Sequence, residues 1–229
     1  MKYLLSNDDG VDAPGLAALV KAAREIGEPT VAAPVHQFSG CSHRVTTDKP
    51  LRLDVRSEGI VAIDGTPADC VRIGLYSVLP DAQWVLAGIN SGGNLGTDVH
   101  ISGTVAAVRE AVIHGWPGIA VSHYRRKDGQ FDWERAVRCV VPLLRDLTNR
   151  PYKRGTFWNI NLPDLPADAP DPEVVFCPLD TQPLPLSYHQ DGDAFHYDGD
   201  YHNRHRDPGA DVDVCFSGKI AVTLLNLYE

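Results

Sequence analysis

Asp8 and Asp9 are the residues whose types and spacing most directly suggest chemistry. They follow the apolar run Tyr3-Leu4-Leu5, which is typical of a buried first strand in a parallel sheet. Open α/β sheets bind ligands beyond the carboxyl ends of their strands. Two adjacent carboxylates repel each other, and a hard divalent cation such as Mg²⁺ or Mn²⁺ would offset that repulsion. These residues alone leave a second interpretation open, a solvated turn at Gly10, because Asp-Gly is a common turn dipeptide.

A glycine-dense loop over residues 90–98 is the second chemical feature. It follows an apolar run, and Ser102, Gly103 and Thr104 then lead into a predicted helix over 105–114. Glycines let backbone amides approach a ligand closely, and a helix N-terminus offers free N–H donors with a favourable dipole. The loop therefore predicts a phosphate cradle, although its spacing matches neither the P-loop nor the Rossmann glycine pattern. Ser102 or Thr104 could equally cap the helix, and capping is compatible with anion binding.

Alternating strands and helices must position these groups. Asp12 is predicted to cap a first helix that Gly27 ends, and residues 29–33 are predicted to form the next strand. That strand runs into a loop that contains Ser39. A right-handed strand–helix–strand unit would bring the two aspartates and Ser39 to the same edge of the sheet.

The remaining elements continue the alternation. Residues 44–65 predict a β-rich excursion, and Thr66-Pro67-Ala68-Asp69 has the signature of a helix N-terminus before a helix over 70–79. An amphipathic helix is predicted over 133–147, and further strands over 84–89, 119–122, 157–162 and 219–227. This order predicts an α/β fold with a mostly parallel sheet flanked by helices.

The C-terminal part of the chain has a different composition. Residues 163–185 are rich in proline, and residues 187–209 are rich in Asp, His, Tyr and Gly. This composition predicts a β-rich arm or a long loop. We therefore predict a core over residues 1–165 and an extension over 166–229, in which an oligomerisation arm (186–217) precedes a final strand that returns to the core.

Charge and composition limit the class of protein. The chain has 229 residues, with 21 Lys and Arg against 30 Asp and Glu and a formal charge of −9, which argues against a binder of nucleic-acid polymers. A small phosphorylated ligand is compatible with this charge, because a bound metal can invert the local field. The sequence has no signal-type or membrane-spanning apolar run and no CxxC pair among its five cysteines. We therefore expect a reduced, cytoplasmic protein without a membrane partner.

Three segments together resemble the SurE (survival protein E) family of metal-dependent nucleotide phosphatases. They read LLSNDDGVDAPGL at 4–16, AAPVHQFSG at 32–40 and GINSGGNLGTDVHISGTVAA at 88–107. DGTPADCV at 64–71 and NINLPDLP at 159–166 extend the likeness, which fades in the C-terminal third.

The resemblance implies a Rossmann-like α/β core that holds one divalent metal ion per subunit, Mg²⁺ or Mn²⁺, on Asp8, Asp9, Ser39 and Asn90. It implies a 5′-nucleotidase that hydrolyses nucleoside monophosphates at the 5′ or 3′ position, with short polyphosphate as a side substrate in some members. Family members usually form dimers or tetramers through an extended hairpin and a helical tail. Because this sequence stops at Glu229 without room for such a tail, we expect a homodimer and leave the tetramer open. Residues 36–38 also differ from the commoner charged family loop, which implies an altered substrate preference.

The mechanistic hypothesis gives each group a role. Asp8 and Asp9 are expected to serve both as metal ligands and as catalytic residues. The phosphate oxygens are expected to lie on Asn94, Ser102, Gly103 and Thr104. We favour water as the nucleophile over direct attack by an aspartate. Two other functions stay open, a metal-dependent sugar-nucleotide transferase and a non-catalytic nucleotide-binding module.

Overall fold

Eleven strands and five helices make up the computed structural model, which describes residues 1–126 and 129–228. The strands are β1 (Lys2–Ser6), β2 (Glu28–Pro34), β3 (Leu53–Ser57), β4 (Ile60–Ile63), β5 (Trp84–Ser91), β6 (Gly118–His123), β7 (Thr156–Leu162), β8 (Val174–Phe176), β9 (Tyr188–Asp191), β10 (Ala194–Tyr197) and β11 (Ile220–Asn226). The helices are α1 (Pro14–Arg24), α2 (Pro67–Ile73), α3 (Gly103–Ile113), α4 (Trp133–Thr148) and α5 (Asp211–Phe216). A turn of π-helix at Gly74–Val78 extends α2, and a 3-10 turn at Gly96–His100 precedes α3.

Nine of these strands form one sheet, in the order β3-β4-β2-β1-β5-β6-β7-β11-β8. The six strands from β4 to β7 in this order are parallel, whereas β3 and β11 run antiparallel to their neighbours β4 and β7. Helices α1 and α4 cover one face of the sheet, and α2 and α3 cover the other. The predicted α/β fold with a mostly parallel, helix-flanked sheet is confirmed.

Burial on both faces explains why the central strands have apolar sequences. In β1, Tyr3 and Leu5 pack into the cluster beneath α1 and α4, while Leu4 packs into the cluster beneath α2 and α3. Alternate side chains of a strand point to opposite faces, so a strand covered on both sides needs consecutive apolar residues. This packing fixes β1 at the centre of the sheet and presents its carboxyl end, with Asp8 and Asp9, at one edge.

The start and the end of α1 differ from the prediction. Ala13, not Asp12, is the N-terminal capping residue, and it makes no side-chain capping bond. The reason is a tight turn before the helix, in which the Ala13 N–H donates to the Gly10 carbonyl, so that Ala13 is the last extended residue. The helix ends at Arg24, before Gly27, where the N–H groups of Glu25 and Ile26 bond to the carbonyls of Ala22 and Ala23, three residues back instead of four.

The segment after residue 163 contains more regular structure than its composition suggests. Strand β8 lies inside the proline-rich part and pairs with β11 at the edge of the main sheet. Within 186–217, only β9 and β10 form an exposed hairpin, whereas α5 is largely buried against β7 and β11. Strand β11, predicted over 219–227, lies between β7 and β8.

Neither described part of the chain, 1–126 or 129–228, contains a helix with both the length and the apolar character needed to cross a membrane.

Candidate active site

A cleft of about 340 Å³ lies at the carboxyl ends of β1, β2 and β5. Six of the predicted site residues line it: Asp8, Asp9, Ser39, Asn90, Asn94 and Ser102. Parallel strands end at the same edge of a sheet, so residues that are distant in sequence converge there. The remaining two predicted residues, Gly103 and Thr104, lie directly behind Asp8.

Asp8 is a buried carboxylate with a fixed orientation. The hydroxyl of Thr104 donates to its Oδ1, and only 5% of the residue is exposed. Burial raises the pKa of Asp8 to about 6; the Thr104 bond opposes this shift, and the negative charge of Asp9 adds to it. The solvated Asp-Asp-Gly turn, the alternative interpretation of this sequence, therefore does not describe Asp8.

Asp9 is the more accessible of the two carboxylates. Its Oδ2 accepts the Ser91 N–H at 2.9 Å, which ties the end of β1 to the end of β5. The Gln37 amide group donates from Nε2 to Ser39 Oγ at 2.8 Å and lies 3.4 Å from Asp9 Oδ1. Gln37 belongs to the segment 36–38 that was predicted to alter substrate preference, but no chemical role was predicted for it. A donor group thus lies between two of the oxygens that were predicted to bind metal.

The oxygen atoms of the cleft suit a hard divalent cation. Asn90 donates Nδ2 to the Gly92 carbonyl at 2.8 Å, which fixes its amide and leaves Oδ1 as the candidate ligand atom. With the two carboxylates and Ser39, the candidate ligand set consists of oxygen atoms alone, as Mg²⁺ and Mn²⁺ prefer. Among the described residues, no three His, Cys, Asp or Glu side chains are grouped so that they could hold a metal ion.

The N-terminus of α3 faces the same cleft. Ser102 is the capping residue, and its Oγ accepts the Val105 N–H at 3.1 Å. A Cβ at Gly103 would come 2.7 Å from Asp8 Cβ and 3.0 Å from Cys41 Sγ, so only glycine allows the helix to approach this closely. The Thr104 hydroxyl was predicted to hold phosphate, but it is fully buried and directed at Asp8. Its role in this structure is therefore to position a carboxylate.

Polar side chains of β6 and β7 fix the position of Asn94. Its Nδ2 donates to Ser122 Oγ at 2.7 Å, and its backbone N–H donates to Asn161 Oδ1 at 2.8 Å. The side chains of Asn159 and Asn161 also donate to its carbonyl. Sequence reasoning missed these supports, although two buried asparagines within the apolar strand β7 are an unusual signal.

Nine further residues line the cleft, and four of them have charged or aromatic side chains: Asp98, Tyr124, Arg125 and Tyr201. Arg125 brings a positive charge to the rim, where its guanidinium lies 4.9 Å from the Phe131 ring. Tyr201 comes from the C-terminal extension, more than a hundred residues after the predicted ligands Asp8, Asp9, Ser39 and Asn90. The extension therefore contributes a wall of the cleft.

Comparisons with known proteins show which family the sequence resembles. The sequence model of the family described as Survival protein SurE matches residues 3–182. The protein alr3139 of Nostoc sp., whose name marks it as a candidate 5′-nucleotidase, is 52% identical over 227 residues, covering 99% of this chain and 100% of the relative. The 5′-nucleotidase SurE of Citrifermentans bemidjiense is 43% identical over 180 residues, covering 77% of this chain and 71% of the relative.

A solved structure agrees over almost the whole chain. The SurE protein from Aquifex aeolicus matches with a TM-score of 0.88 at 30% identity, covering 99% of this chain and 94% of that chain. The matched residues 3–182 include Asp8, Asp9, Ser39 and Asn90, the four predicted metal ligands. The chain therefore belongs to the SurE family.

Proposed function

We propose that this chain, a 5′-nucleotidase by family, is a metal-dependent phosphomonoesterase that hydrolyses nucleoside 5′- or 3′-monophosphates to nucleoside and inorganic phosphate. The observation that carries the proposal is the convergence of two aspartates, Ser39 and Asn90 beside the N-terminus of α3 in one cleft. One side of the cleft suits a hard cation, and the other suits the phosphate that such a cation would bind.

The residues of the chain divide the chemical work. When bound, Mg²⁺ or Mn²⁺ would supply Lewis-acid activation of water and neutralise charge on the phosphoryl group. Ser102, the N–H group of Gly103 and Asn94 hold phosphate oxygens. Arg125 adds positive charge at the rim. These contacts orient the phosphorus for attack by water in line with the departing nucleoside oxygen.

The two aspartates have different parts in this scheme. Asp8 is buried and bonded to Thr104, so it serves as a fixed ligand. Asp9 is more accessible and accepts the proton of the attacking water, which ends on the departing nucleoside oxygen. The phosphate cradle contacts phosphate oxygens and does not contact a nucleobase. We therefore include short polyphosphate in the proposal as a side substrate.

Phosphate release from a panel of nucleoside monophosphates tests the proposal. The assay compares metal-free protein with protein in Mg²⁺ or Mn²⁺, for the wild type, Asp9→Asn and Asp12→Asn. Asp12 is exposed and lies in the same turn outside the cleft, so it is the matched control. We expect release that depends on metal, falls about a hundredfold or more in Asp9→Asn and is unchanged in Asp12→Asn. Absence of release with either metal would overturn the proposal; turnover of a nucleotide sugar would then support a transferase, and binding alone a nucleotide-binding module.

A further inference from the structure

Asp98 accepts several hydrogen bonds within the loop that forms the phosphate side of the cleft. Its Oδ2 accepts the Leu95 N–H at 3.3 Å, the Tyr201 hydroxyl at 2.6 Å and an Arg204 N–H at 3.1 Å. Its backbone carbonyl accepts the N–H groups of Ile101 and Ser102 at 3.1 and 3.0 Å. One residue thus connects the glycine-dense loop, the capping residue of α3 and the C-terminal extension.

Arg204 fits closely against the same loop. Its side chain is fully buried, and its Nη2 donates to the Leu95 carbonyl at 3.2 Å. Gly96 has a φ of +54°, and a Cβ there would come 2.7 Å from Arg204 Nη2. The guanidinium also lies 5.1 Å from the centre of the Tyr201 ring. The loop is therefore shaped around this guanidinium.

The charge of Asp98 makes this contact relevant to substrate binding. Asp98 lines the cleft together with Asp8 and Asp9. A third uncompensated carboxylate would repel a phosphate dianion, and the buried guanidinium of Arg204 neutralises it. Burial, followed by the charge of Asp98, raises the pKa of Tyr201, so its hydroxyl stays a hydrogen-bond donor.

We propose that Tyr201 and Arg204, acting through Asp98, are positioning residues that hold the loop 95–102 in its phosphate-binding conformation and screen the Asp98 charge from phosphate. The inference rests on the proposed function in assigning phosphate to this loop. Both residues lie outside the segment 3–182 that the family model matches. Breaking this contact leaves the loop attached elsewhere, because Asp211 also accepts the Gly96 N–H at 2.9 Å.

Titration with inorganic phosphate in the presence of Mg²⁺ tests the inference without turnover. The variants are Arg204→Met, Tyr201→Phe and the double variant Asp98→Asn/Arg204→Met. Arg206→Met is the matched control, because Arg206 is a partly exposed arginine of the same segment that does not line the cleft. Each variant is also assayed for KM and kcat with a nucleoside monophosphate and for its affinity for Mg²⁺.

We expect Arg204→Met to raise the dissociation constant for phosphate and the KM together by about tenfold, with an unchanged affinity for Mg²⁺. The double variant should recover much of this loss, because it also removes the Asp98 charge that Arg204 no longer neutralises. Tyr201→Phe keeps the ring and should raise both constants by about threefold, and Arg206→Met should match the wild type.

Unchanged phosphate affinity in Arg204→Met would overturn the inference, even if that variant lost thermal stability. Should Arg204→Met fail to fold, Tyr201→Phe provides the same test. An unchanged dissociation constant for phosphate and an unchanged KM in that variant would also overturn the inference. If the wild type released no phosphate from any nucleotide, the proposed function would fail, but the phosphate titration would still decide the positioning role.

Discussion

Asp8 and Asp9 are neighbours in the sequence but occupy different environments. Asp8 is buried on Thr104, whereas Asp9 is half-buried and accepts the Ser91 N–H. A buried carboxylate beside a second one costs folding free energy while it is charged. Functional sites often keep such unfavourable charges because catalysis needs them.

Replacing Asp8 with asparagine should therefore stabilise the metal-free protein. The pKa of Asp8 is raised to about 6 from 3.8, so its charge opposes folding above pH 6, and this cost disappears as the pH falls towards 3.8. We expect Asp8→Asn to raise the free energy of unfolding at pH 8 by roughly 2 kcal/mol, because the Asn oxygen can still accept from Thr104. The same variant should lower turnover by orders of magnitude.

Urea unfolding in the presence of a chelator measures this effect, with Asp12→Asn as the control for removing an exposed carboxylate. A metal-free Asp8→Asn protein that is less stable than the wild type at pH 8 would contradict the prediction.

Thr104 is a second residue whose role depends on where its side chain points. Thr104→Val keeps the shape of the side chain and removes the hydrogen bond to Asp8 Oδ1. We expect kcat to fall about tenfold, since the carboxylate loses a charge-assisted bond that fixes its orientation. Thr104→Ser retains a hydroxyl and should preserve most of the activity. Equal kcat values in the valine and serine variants, measured with saturating metal and substrate, would show that this bond has no part in the reaction.

The sequence predicted which residues form the site better than it predicted where their side chains point. Adjacent carboxylates at the end of an apolar run predicted Asp8 and Asp9, because that pattern depends only on local sequence. The orientation of the Thr104 hydroxyl depends on how α3 docks against β1, which no local pattern encodes. Tyr201 and Arg204 lie more than a hundred residues beyond Asp98, so only the folded chain reveals their contact.

At the scale of elements, α3 and the loop after β2 are joined by a buried charge. Glu110 of α3 contacts His43 of that loop at 2.7 Å, and also contacts His114 at 2.9 Å and Arg72 at 3.6 Å. The same loop carries Ser39 at the cleft. Glu110 therefore links the helix that caps the phosphate side to the loop on the metal side.

This link predicts a pH dependence of stability. Burial opposes ionisation of Glu110, but hydrogen bonds from His43 and His114 outweigh it and lower its pKa below 4.5. The stabilisation is fully present above pH 4.5 and is lost as the pH falls through the lowered pKa. We expect Glu110→Gln to lose about 1–2 kcal/mol of unfolding free energy at pH 7 and much less at pH 3.

Denaturant unfolding at both pH values tests the Glu110 link. Glu134→Gln is the matched control, because Glu134 makes an exposed ion pair with Lys21 and should have little effect. A deficit of the same size at both pH values would show that the lost stability is packing and not charge.

Element positions were more predictable than element ends. Strands β5 and β6 are buried on both faces, so their apolar runs predicted them directly. The capping box of Thr66 and Asp69 at α2 was also readable, because it needs only two residues at a fixed spacing. In contrast, β8 has only three residues, and its strand pairing is with β11, which lies more than forty residues later in the chain. Its existence depends on tertiary pairing and not on local sequence.

At the scale of the whole molecule, the hairpin of β9 and β10 is a separate two-stranded sheet with exposed residues throughout. In the described part of the chain, these two strands pair only with each other. Leu186 before the hairpin is 93% exposed and Phe195 is 66% exposed, while Tyr188 and Tyr197 are half-exposed. A two-stranded hairpin is marginally stable alone, and exposed aromatic groups of this kind mark an interaction surface. This feature supports the proposal of a homodimer, in which the aromatic face packs on a second copy.

A charge on the aromatic face should therefore disrupt the dimer. Phe195 shares a hairpin face with Tyr188 and Tyr197, whereas Ala194 points to the opposite face. We expect Phe195→Asp to shift the protein to monomers in sedimentation equilibrium, because a carboxylate cannot be buried unpaired in an apolar contact. Ala194→Asp adds the same charge to the same strand and should remain dimeric. A wild type that sediments as a monomer, or a Phe195→Asp variant that dimerises like the wild type, would exclude the aromatic face as the interface. Because the hairpin leads directly into the segment that holds Tyr201 and Arg204, loss of the dimer should also raise the KM, which links assembly to the phosphate side of the cleft.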